Sequence, residues 1–349
     1  MDNLELFAIS QTIGGGGSGE RAVVYAGGHD SILQKVTSMP GETIVRTNEI
    51  NDNTSFGTVF GERNHLGYTT DDNWSTYTVD STYSSNGTAV AGGANVISQT
   101  EDGFVFGYKN RTYAAHQSII GGYKSKVYAS ESAVFGERHT INGTLYEDSG
   151  DLKTTTKRLL VYGSENTVDV NTQDSFIGGY QNNIGTYLQY SCVNGKGNTV
   201  GNHCGWINVF GGGSNIIHNN IDDTTVFGYE NELYGGPNTS SKRSLNFVFG
   251  AGNVVQNHND TDKGWNKVIV AGFNLRPRHS SHIVLGWYNA HDASEDKDVL
   301  TIGCGKKEDD TEYRDNCFGT GKDSSNNKYI RIGDTVLTET QLIQLLATI

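Results

Sequence analysis

The sequence predicts an all-β protein built as a parallel β-solenoid, in which short coils of chain stack on one another. Glycine accounts for 45 of 349 residues and proline for only 3. Valine, isoleucine, threonine, tyrosine and asparagine abound, which is a composition of strands and turns. A short phrase of apolar residues, glycine and asparagine also recurs along the chain at nearly constant spacing. Such a fixed period is the signature of a stacked repeat.

The recurring phrase appears as DSFIGGYQNNI at 174–184 and as TTVFGYENEL at 224–233. An apolar run ends at a glycine, an asparagine follows three residues later, and an apolar residue stands two positions beyond it. The anchor glycines recur at even intervals, as at Gly92, Gly107 and Gly122. A base unit of about 14–17 residues, lengthened by insertions, accounts for the anchors from Gly27 to Gly333.

Each unit is expected to form two short strands and two corners. The run 225–227 extends as a strand, and Gly228 permits a positive φ or close stacking of backbones. Asn231 tolerates the left-handed conformation and can bond its own turn. Stacking then places asparagine on asparagine, with Ser125 and His139 as polar exceptions. The predicted structural ladder consists of Asn64, Asn95, Asn110, Asn166, Asn182, Asn198, Asn215, Asn231 and Asn253.

The period of the phrase favours a two-sided roll. Steps of about 14–17 residues leave no room for the third side that a hexapeptide β-helix requires. The pattern [VI]-[FIA]-G-x-x-[NS]-x-[IV], over roughly 60–333, resembles the parallel β-roll of trimeric adhesin heads of the YadA kind, which also occurs in bacteriophage fibres. The resemblance implies a left-handed roll and a homotrimer.

The chain divides into three predicted regions. Residues 1–20 carry an apolar segment and a Gly-rich linker, typical of a docking peptide, although a first strand is the alternative. Residues 21–335 form the roll, and residues 336–349 a capping or trimerisation helix. Thr338 and Gln341 make a capping box at its start. The apolar residues of this helix either pack around a three-fold axis or fold back as a lid on the roll.

Four insertions, 67–88, 142–158, 234–246 and 256–267, are expected to project from the roll as loops. Aromatic rings beside carboxylates suit sugar binding, because the ring packs on the sugar's C–H face and the acid bonds its hydroxyls. The alternative is that the aromatic side chains of these loops pack on the surface of the roll and bind no ligand. The candidate ligand-binding residues are Asp71, Asp72, Trp74, Tyr77, Tyr146 and Trp265.

Several classes of partner and site are not expected. The net charge of -13 argues against nucleic acid, which requires a basic surface. There is no apolar run of about 18 residues and the first residues do not resemble a secretory signal, so membrane insertion and secretion are not predicted. The four cysteines are expected to be free thiols. The histidines lack metal-ligand spacing, so no metal and no cofactor are predicted.

These features together predict a structural fibre or receptor-binding protein of a bacteriophage particle. It would lie on the virion surface after synthesis in the host cytoplasm, dock to head or tail proteins through its N-terminus, and contact bacterial surface polysaccharide. No catalytic residue is expected. One alternative is a tailspike depolymerase, which needs a carboxylate pair such as Glu147 with Asp151. A second alternative is a bacterial trimeric adhesin.

Overall fold

The computed structural model is all-β, with a β-solenoid of about 11 turns and one short C-terminal helix. The chain forms two compact units, Met1–Ile177 and Gly178–Ile349. The predicted docking segment 1–20 and the insertion 256–267 lie outside the described residues. The structure describes residues 23–25, 35–37, 43–45, 49–50, 58–62, 64–70, 77–79, 85, 87–148, 151–235, 245–255, 268–277, 282–289, 298–308, 311–322, 325 and 327–348.

The first unit contains a wide parallel sheet of long strands and a narrow parallel sheet of short ones. The wide strands are β1 (Val23–Tyr25), β5 (Thr58–Glu62), β9 (Ala89–Gly93), β11 (Phe104–Tyr108), β13 (Ile119–Tyr123), β15 (Ala133–Glu137) and β19 (Lys157–Ser164). The narrow strands are β4 (Glu49–Ile50), β6 (His65–Leu66), β10 (Val96–Ser98), β12 (Arg111–Tyr113), β14 (Lys126–Val127), β16 (Thr140–Ile141) and β20 (Thr167–Val168).

Each coil is therefore a wide strand, a first corner, a narrow strand and a second corner. Anchor glycines lie opposite one another in the wide sheet, as Gly92 with Gly107 and Gly107 with Gly122. Gly107 has φ of 106°, and a Cβ there would overlap the Gly122 carbonyl oxygen. The glycine anchor of the phrase is thus required twice, by its left-handed backbone and by the close approach of the next coil.

The core lies between the two sheets and is made of stacked aliphatic side chains. Along each wide strand the residue two before the anchor glycine points inward, and along each narrow strand the residue five after it does so. In the first unit the fully buried members include Val90, Val105, Ile120, Val134 and Val161 from the wide sheet, and Leu66, Ile97, Val127, Ile141 and Val168 from the narrow sheet. The predicted inward position of the second apolar residue is confirmed.

The asparagine of the phrase lies inside the first corner and not in the left-handed turn. Lys109 has φ of 58°, whereas Asn110 does not have a positive φ. The left-handed residue of this corner is therefore the one before the asparagine. Asn110 Nδ2 donates to the carbonyls of Phe106 and Gly122, both at 3.0 Å, and its Oδ1 accepts from the Ser125 amide at 3.2 Å. The corner turns these backbone groups inward, where a buried polar side chain must satisfy them.

The buried amides form a continuous ladder within each unit. Asn95 Oδ1 accepts from the Asn110 amide nitrogen at 3.0 Å in the first unit, and Asn182 Oδ1 accepts from the Asn198 amide nitrogen at 3.1 Å in the second. Ser125 and His139 replace asparagine at two consecutive positions, and His139 Nδ1 accepts from the backbone amide of Asn166 at 3.3 Å. All nine asparagines of the predicted ladder are fully buried: Asn64, Asn95, Asn110, Asn166, Asn182, Asn198, Asn215, Asn231 and Asn253.

The second unit repeats this architecture. Strand β21 (Gln173–Tyr180) contains the division between the units. The wide strands that follow are β23 (Cys192–Lys196), β25 (Gly205–Phe210), β27 (Asp222–Tyr229), β29 (Asn246–Ala251), β31 (Val268–Phe273), β32 (Ile283–Trp287) and β33 (Asp298–Cys304). The narrow strands are β22 (Asn183–Ile184), β24 (Thr199–Val200), β26 (Ile216–Ile217), β28 (Glu232–Leu233) and β30 (Val254–Val255).

The parallel coils end at β33, so the prediction of a roll up to residue 335 is wrong for its last part. Strands β36 (Asn316–Lys322), β37 (Lys328–Ile332) and β38 (Thr335–Thr338) pair antiparallel, and β36 pairs antiparallel with β33. The anchor spacing continues through Gly319 and Gly333. However, the residue three after Gly319 is Lys322, where a first corner would need a buried asparagine, so no coil closes there.

The C-terminal helix begins later than predicted. The helix α1 spans Glu339–Leu346, because residues 335–338 belong to β38. The predicted capping box is confirmed: Gln341 donates its backbone amide to Thr338 Oγ1 at 3.4 Å, and Thr338 donates its own to Gln341 Oε1 at 2.9 Å. None of the helical residues is buried. Ile343, Leu345 and Leu346 are 53–68% exposed.

Two of the four insertions contain antiparallel hairpins. Strands β7 (Tyr68–Thr70) and β8 (Tyr77–Val79) lie within 67–88, and β17 (Leu145–Asp148) and β18 (Asp151–Thr154) lie within 142–158. The remaining antiparallel pairs are β2 (Lys35–Thr37) with β3 (Thr43–Val45) and β34 (Lys306–Glu308) with β35 (Thr311–Tyr313). Over the described ranges, no helix has the length and apolar character to cross a membrane.

Candidate functional site

The structure places only part of the predicted ligand-binding set. Tyr77 lies in β8 opposite Thr70, and Tyr146 lies in β17 opposite Lys153. These two residues therefore belong to different hairpins. Asp71, Asp72, Trp74 and Trp265 lie outside the described residues.

A groove that sequence reasoning missed is built on the second corners of the second unit. It has a volume of about 280 Å³. Its lining combines rings, amides and one carboxylate, a mixture typical of a site that binds a polar ligand with apolar faces. The lining residues are Tyr187, Gln189, His203, Cys204, Gly205, Trp206, Asn220 and Asp222.

The coil register assembles the groove from equivalent positions of three consecutive coils. Gln189 pairs with Gly205, and Gly205 pairs with Asp222, so these residues form the floor. Asp222 Oδ1 accepts from the Gly205 amide at 2.8 Å. On one side of the floor the His203 ring stacks on Tyr187, with centroids 4.7 Å apart and planes 16° apart.

The other side of the floor carries a second pair of stacked rings. The centroids of Tyr190 and Trp206 are 5.4 Å apart and their planes 19° apart. The Trp206 amide donates to the Gln189 carbonyl at 2.9 Å, which fixes the ring at the edge of the floor. Tyr187, Tyr190 and Trp206 are each about half exposed, at 48%, 52% and 48%. Each side of the groove therefore presents aromatic surface to solvent.

The backbone at these aromatics is strained. Tyr187, Tyr190, His203 and Trp206 have φ of 60°, 50°, 56° and 51°. Bulky residues rarely adopt this left-handed region, and each such residue costs about 1–3 kcal/mol. A glycine or asparagine would make the same turn with less strain. The second corners of other coils have the same left-handed backbone, as at Ala114 and Gln117, so the coil imposes this conformation and the aromatic residues adopt it.

The groove contains one thiol and one carboxylate among its lining residues. Cys204 is buried, its Sγ lies 3.5 Å from the His218 carbonyl oxygen, and burial raises the pKa of its thiol to about 11. That thiol stays protonated near neutral pH and is a poor nucleophile. Asp222 is the one carboxylate among the lining residues. Across the described part of the chain, no cluster of three or more metal-ligating side chains occurs.

The predicted state of the cysteines is confirmed. Cys192, Cys204, Cys304 and Cys317 are all free thiols, and only Cys204 is buried. Burial also raises the pKa of Cys304 to about 11, with the neighbouring Cys317 contributing in the same direction. The cysteines therefore do not form a disulfide framework.

A second surface feature is an apolar outer face on the wide sheet of each unit. The residues one and three before the anchor glycine point outward and are mostly large and apolar. In the first unit the exposed members are Phe104, Ile119, Phe135, Leu160 and Tyr162, and in the second they are Phe210, Phe227, Phe247, Phe249 and Ile269, each 36–46% exposed. Contiguous apolar surface of this kind marks an interaction face.

The sequence contained a signal for the groove. Tyr187 and His203 are one coil period apart, as are Tyr190 and Trp206. Aromatic residues at coil spacing outside the recurring phrase mark rings that stack on one surface.

No protein-family model matches the chain, and no curated protein is significantly similar to it.

Proposed function

We propose that the protein is a non-enzymatic structural and receptor-binding component of a bacteriophage fibre, which attaches to glycans of the bacterial surface. The observation that carries this proposal is the groove with stacked rings on both sides of its polar floor. A phage particle as the host assembly is supported by the resemblance of the recurring phrase to β-rolls found in such fibres. In this proposal the N-terminal segment docks to the virion.

The groove suits a saccharide for chemical reasons. Sugar rings present C–H faces that pack against aromatic rings, while their hydroxyls require hydrogen-bond partners. Tyr187 and Trp206 supply the faces, and Gln189, Asn220 and Asp222 supply polar groups between them. A preformed arrangement of this kind loses little conformational entropy on binding.

The homotrimer is the finer part of the proposal, together with left-handed coils of about 14–17 residues. Three copies would cover the apolar outer faces of the wide sheets, where Phe227 and Phe249 stack with centroids 5.1 Å apart. They would also cover Ile343, Leu345 and Leu346 of α1, which the chain itself leaves exposed. The exposure of these helical residues therefore favours packing of the helix between copies, rather than its folding back as a lid on its own roll.

The depolymerase alternative has less support. Glycoside hydrolysis requires two carboxyl groups on either side of the scissile bond. Asp222 has no carboxylate partner among the lining residues of the groove, and its Oδ1 already accepts the Gly205 amide. Binding without cleavage is the function that this arrangement favours.

The binding claim is tested with purified bacterial surface polysaccharide and a matched pair of variants. Trp206→Ala removes a ring of the groove, and Trp287→Ala removes a ring that is 55% exposed elsewhere in the second unit. Trp206→Ala should bind the polysaccharide about tenfold more weakly than the wild type, because a stacking surface is lost. Trp287→Ala should bind with nearly wild-type affinity. Equal binding by all three proteins would overturn the proposal. New reducing ends in the polysaccharide would favour the depolymerase.

The trimer claim is tested separately by sedimentation equilibrium. The proposal expects a particle of three times the 37.9 kDa chain mass at micromolar concentration. Replacing Phe227 and Phe249 by lysine should reduce that mass, whereas replacing the exposed Lys307 and Lys322 by alanine should not. A stable wild-type monomer would contradict the trimer.

A further inference from the structure

Two consecutive coils of the first unit carry the same unusual sequence. It reads YKNRTY at 108–113 and YKSKVY at 123–128, which are one coil period apart and so occupy equivalent positions. Each stretch holds two tyrosines and two basic residues and no acid. The equivalent stretches before and after read GANVIS at 93–98 and ERHTIN at 137–142. The two stretches thus gather four basic residues in a chain of net charge -13, and three of them, Lys109, Lys124 and Lys126, reach the surface while Arg111 is buried.

The fold brings the two stretches into register. Tyr108 lies opposite Tyr123, and their rings stack with centroids 6.0 Å apart and planes 9° apart. Arg111 lies opposite Lys126 in the narrow sheet. The two stretches therefore make one continuous surface around the first corner and the narrow strand, which we name the tyrosine–lysine patch.

The lysines of the patch lie against tyrosine rings. Lys109 Nζ is 5.6 Å from the ring centroid of Tyr108, and Lys124 Nζ is 5.0 Å from that of Tyr123. On the narrow strand, Lys126 Nζ is 5.2 Å from the Tyr128 centroid. Cation–π contact holds these ammonium groups in place without neutralising their charge.

Few acidic groups are available to the patch. Within the described ranges, none of Lys109, Lys124 and Lys126 forms a salt bridge. Glu137, in the next coil, lies opposite Tyr123, but its carboxylate is 2.9 Å from Arg138. The charge of the three lysines is therefore available to a ligand.

The register of the narrow sheet adds a further basic residue beside the lysines. Arg111, which is buried, lies directly opposite Lys126 on the neighbouring strand. A ligand that carries repeated anions would place opposite charge beside the three lysines. The tyrosine rings beside them offer flat apolar faces to sugar rings.

We propose that the tyrosine–lysine patch binds an acidic polysaccharide, through carboxylate or phosphate groups along the strand. Nucleic acid is disfavoured because the remaining acidic surface repels a densely charged polyanion at long range. The patch lies in the first unit and takes a ligand of different chemistry from the groove in the second. It goes beyond the saccharide-binding groove of the proposed function, and loss of binding at one site leaves the other site unaffected.

The test uses the full chain and three immobilised polymers: polygalacturonate as the carboxylate source, poly(glycerol phosphate) as the phosphate source, and neutral dextran. The variant replaces Lys109, Lys124 and Lys126 by glutamine. Its control replaces the exposed Lys307, Lys322 and Lys328 by glutamine, which changes the net charge equally. Thermal unfolding of both variants establishes that each is folded, and duplex DNA is included as a competitor.

The wild type should bind one or both acidic polymers, with affinity that falls as salt concentration rises, and should not bind dextran through this patch. The patch variant should bind the acidic polymer about tenfold or more weakly, while the control variant stays within about twofold of wild type. Stronger binding to polygalacturonate than to poly(glycerol phosphate), or the reverse, identifies the anion. The proposal would be overturned if the wild type bound neither acidic polymer, or if the patch variant bound them as tightly as the wild type. It would also be overturned if duplex DNA, added at the same total charge, competed with the acidic polymer. A Trp206→Ala protein that keeps its affinity for the acidic polymer separates this site from the groove.

Discussion

The two corners of each coil follow opposite rules. In the first corner the side chain that matters points inward: Asn182 is fully buried and donates to the carbonyls of Gly178 and Gly195 at 2.7 and 3.1 Å. In the second corner of the same unit, Tyr187 and Trp206 point outward from strained backbone and are about half exposed. The first corner is nearly the same in every coil, whereas the second varies. The buried side chains of the first corner stabilise the fold, and the outward-pointing side chains of either corner are available for binding.

The largest expected effect comes from breaking the buried ladder at one rung. Asn182→Ala removes two donated hydrogen bonds and leaves the backbone amide of Asn198 without its acceptor. The free energy of unfolding should fall by about 3 kcal/mol or more, because buried groups lose their partners. Asn183→Ala is the control, since the neighbouring Asn183 side chain is exposed. Urea denaturation measures both, and equal stability of the two variants would contradict the structural role of the ladder.

A second prediction separates backbone overlap from backbone conformation at the first corner. Gly228 has φ of 122°, and a Cβ there would overlap the Gly250 carbonyl oxygen; Gly211 has φ of 70° with open space around it. Gly228→Ala should destabilise by about 3 kcal/mol, and Gly211→Ala by about 1 kcal/mol. Denaturant unfolding compares them, and a larger loss for Gly211→Ala would show that coil stacking is looser than described.

Much of the first corner could be predicted from the sequence because it repeats. The spacing of the anchor glycines predicted the coils, and the apolar position after each asparagine predicted the narrow-sheet core. The conformation of Asn110 could not be predicted, because asparagine is common both in left-handed turns and as a buried amide. The end of the roll was also missed: Gly319 and Gly333 keep the spacing while the residues that close a coil are absent.

A smaller effect is expected where a histidine interrupts the ladder. Burial lowers the pKa of His139 from its ordinary value of 6.5, although hydrogen bonds to the backbone at Phe135 and Gly163 act in the opposite direction. The unfolded chain therefore binds this proton more readily than the folded one. The stability contributed by neutral His139 is complete above about pH 6.5 and is lost as the pH falls from there toward the lower folded pKa.

The matched variant for this prediction is His139→Asn, which restores the residue found at equivalent positions of other coils. Urea denaturation at about pH 7.5 and about pH 5 should show a smaller decrease in stability for the variant than for the wild type. An identical decrease in both proteins would show that His139 does not sense pH.

The smallest expected effect measures strain in the second corner. At Trp206, with φ of 51°, glycine should be more stable than alanine by about 1 kcal/mol, because only alanine keeps the left-handed penalty. Thermal unfolding of Trp206→Gly and Trp206→Ala gives the difference directly. Alanine at least as stable as glycine would show that the backbone at this position is not strained.

The spacing of the aromatic residues indicates the stacked rings of the groove, but the floor between them could not be predicted from the sequence. The interruptions of the repeat predict binding residues in the insertions, among them Trp74 and Trp265. Tyr187 and Trp206 lie in coils of ordinary length, so nothing interrupts the repeat there. Only the three-dimensional register shows that Gln189, Gly205 and Asp222 form one floor between stacked rings.

The most direct test of the division between the two corners measures stability and glycan binding on the same two variants. Asn182→Ala should lose about 3 kcal/mol of unfolding free energy and, below its unfolding transition, bind bacterial surface polysaccharide with wild-type affinity. Trp206→Ala should keep its stability within about 1 kcal/mol and bind about tenfold more weakly. A Trp206→Ala protein that binds like the wild type would contradict the account.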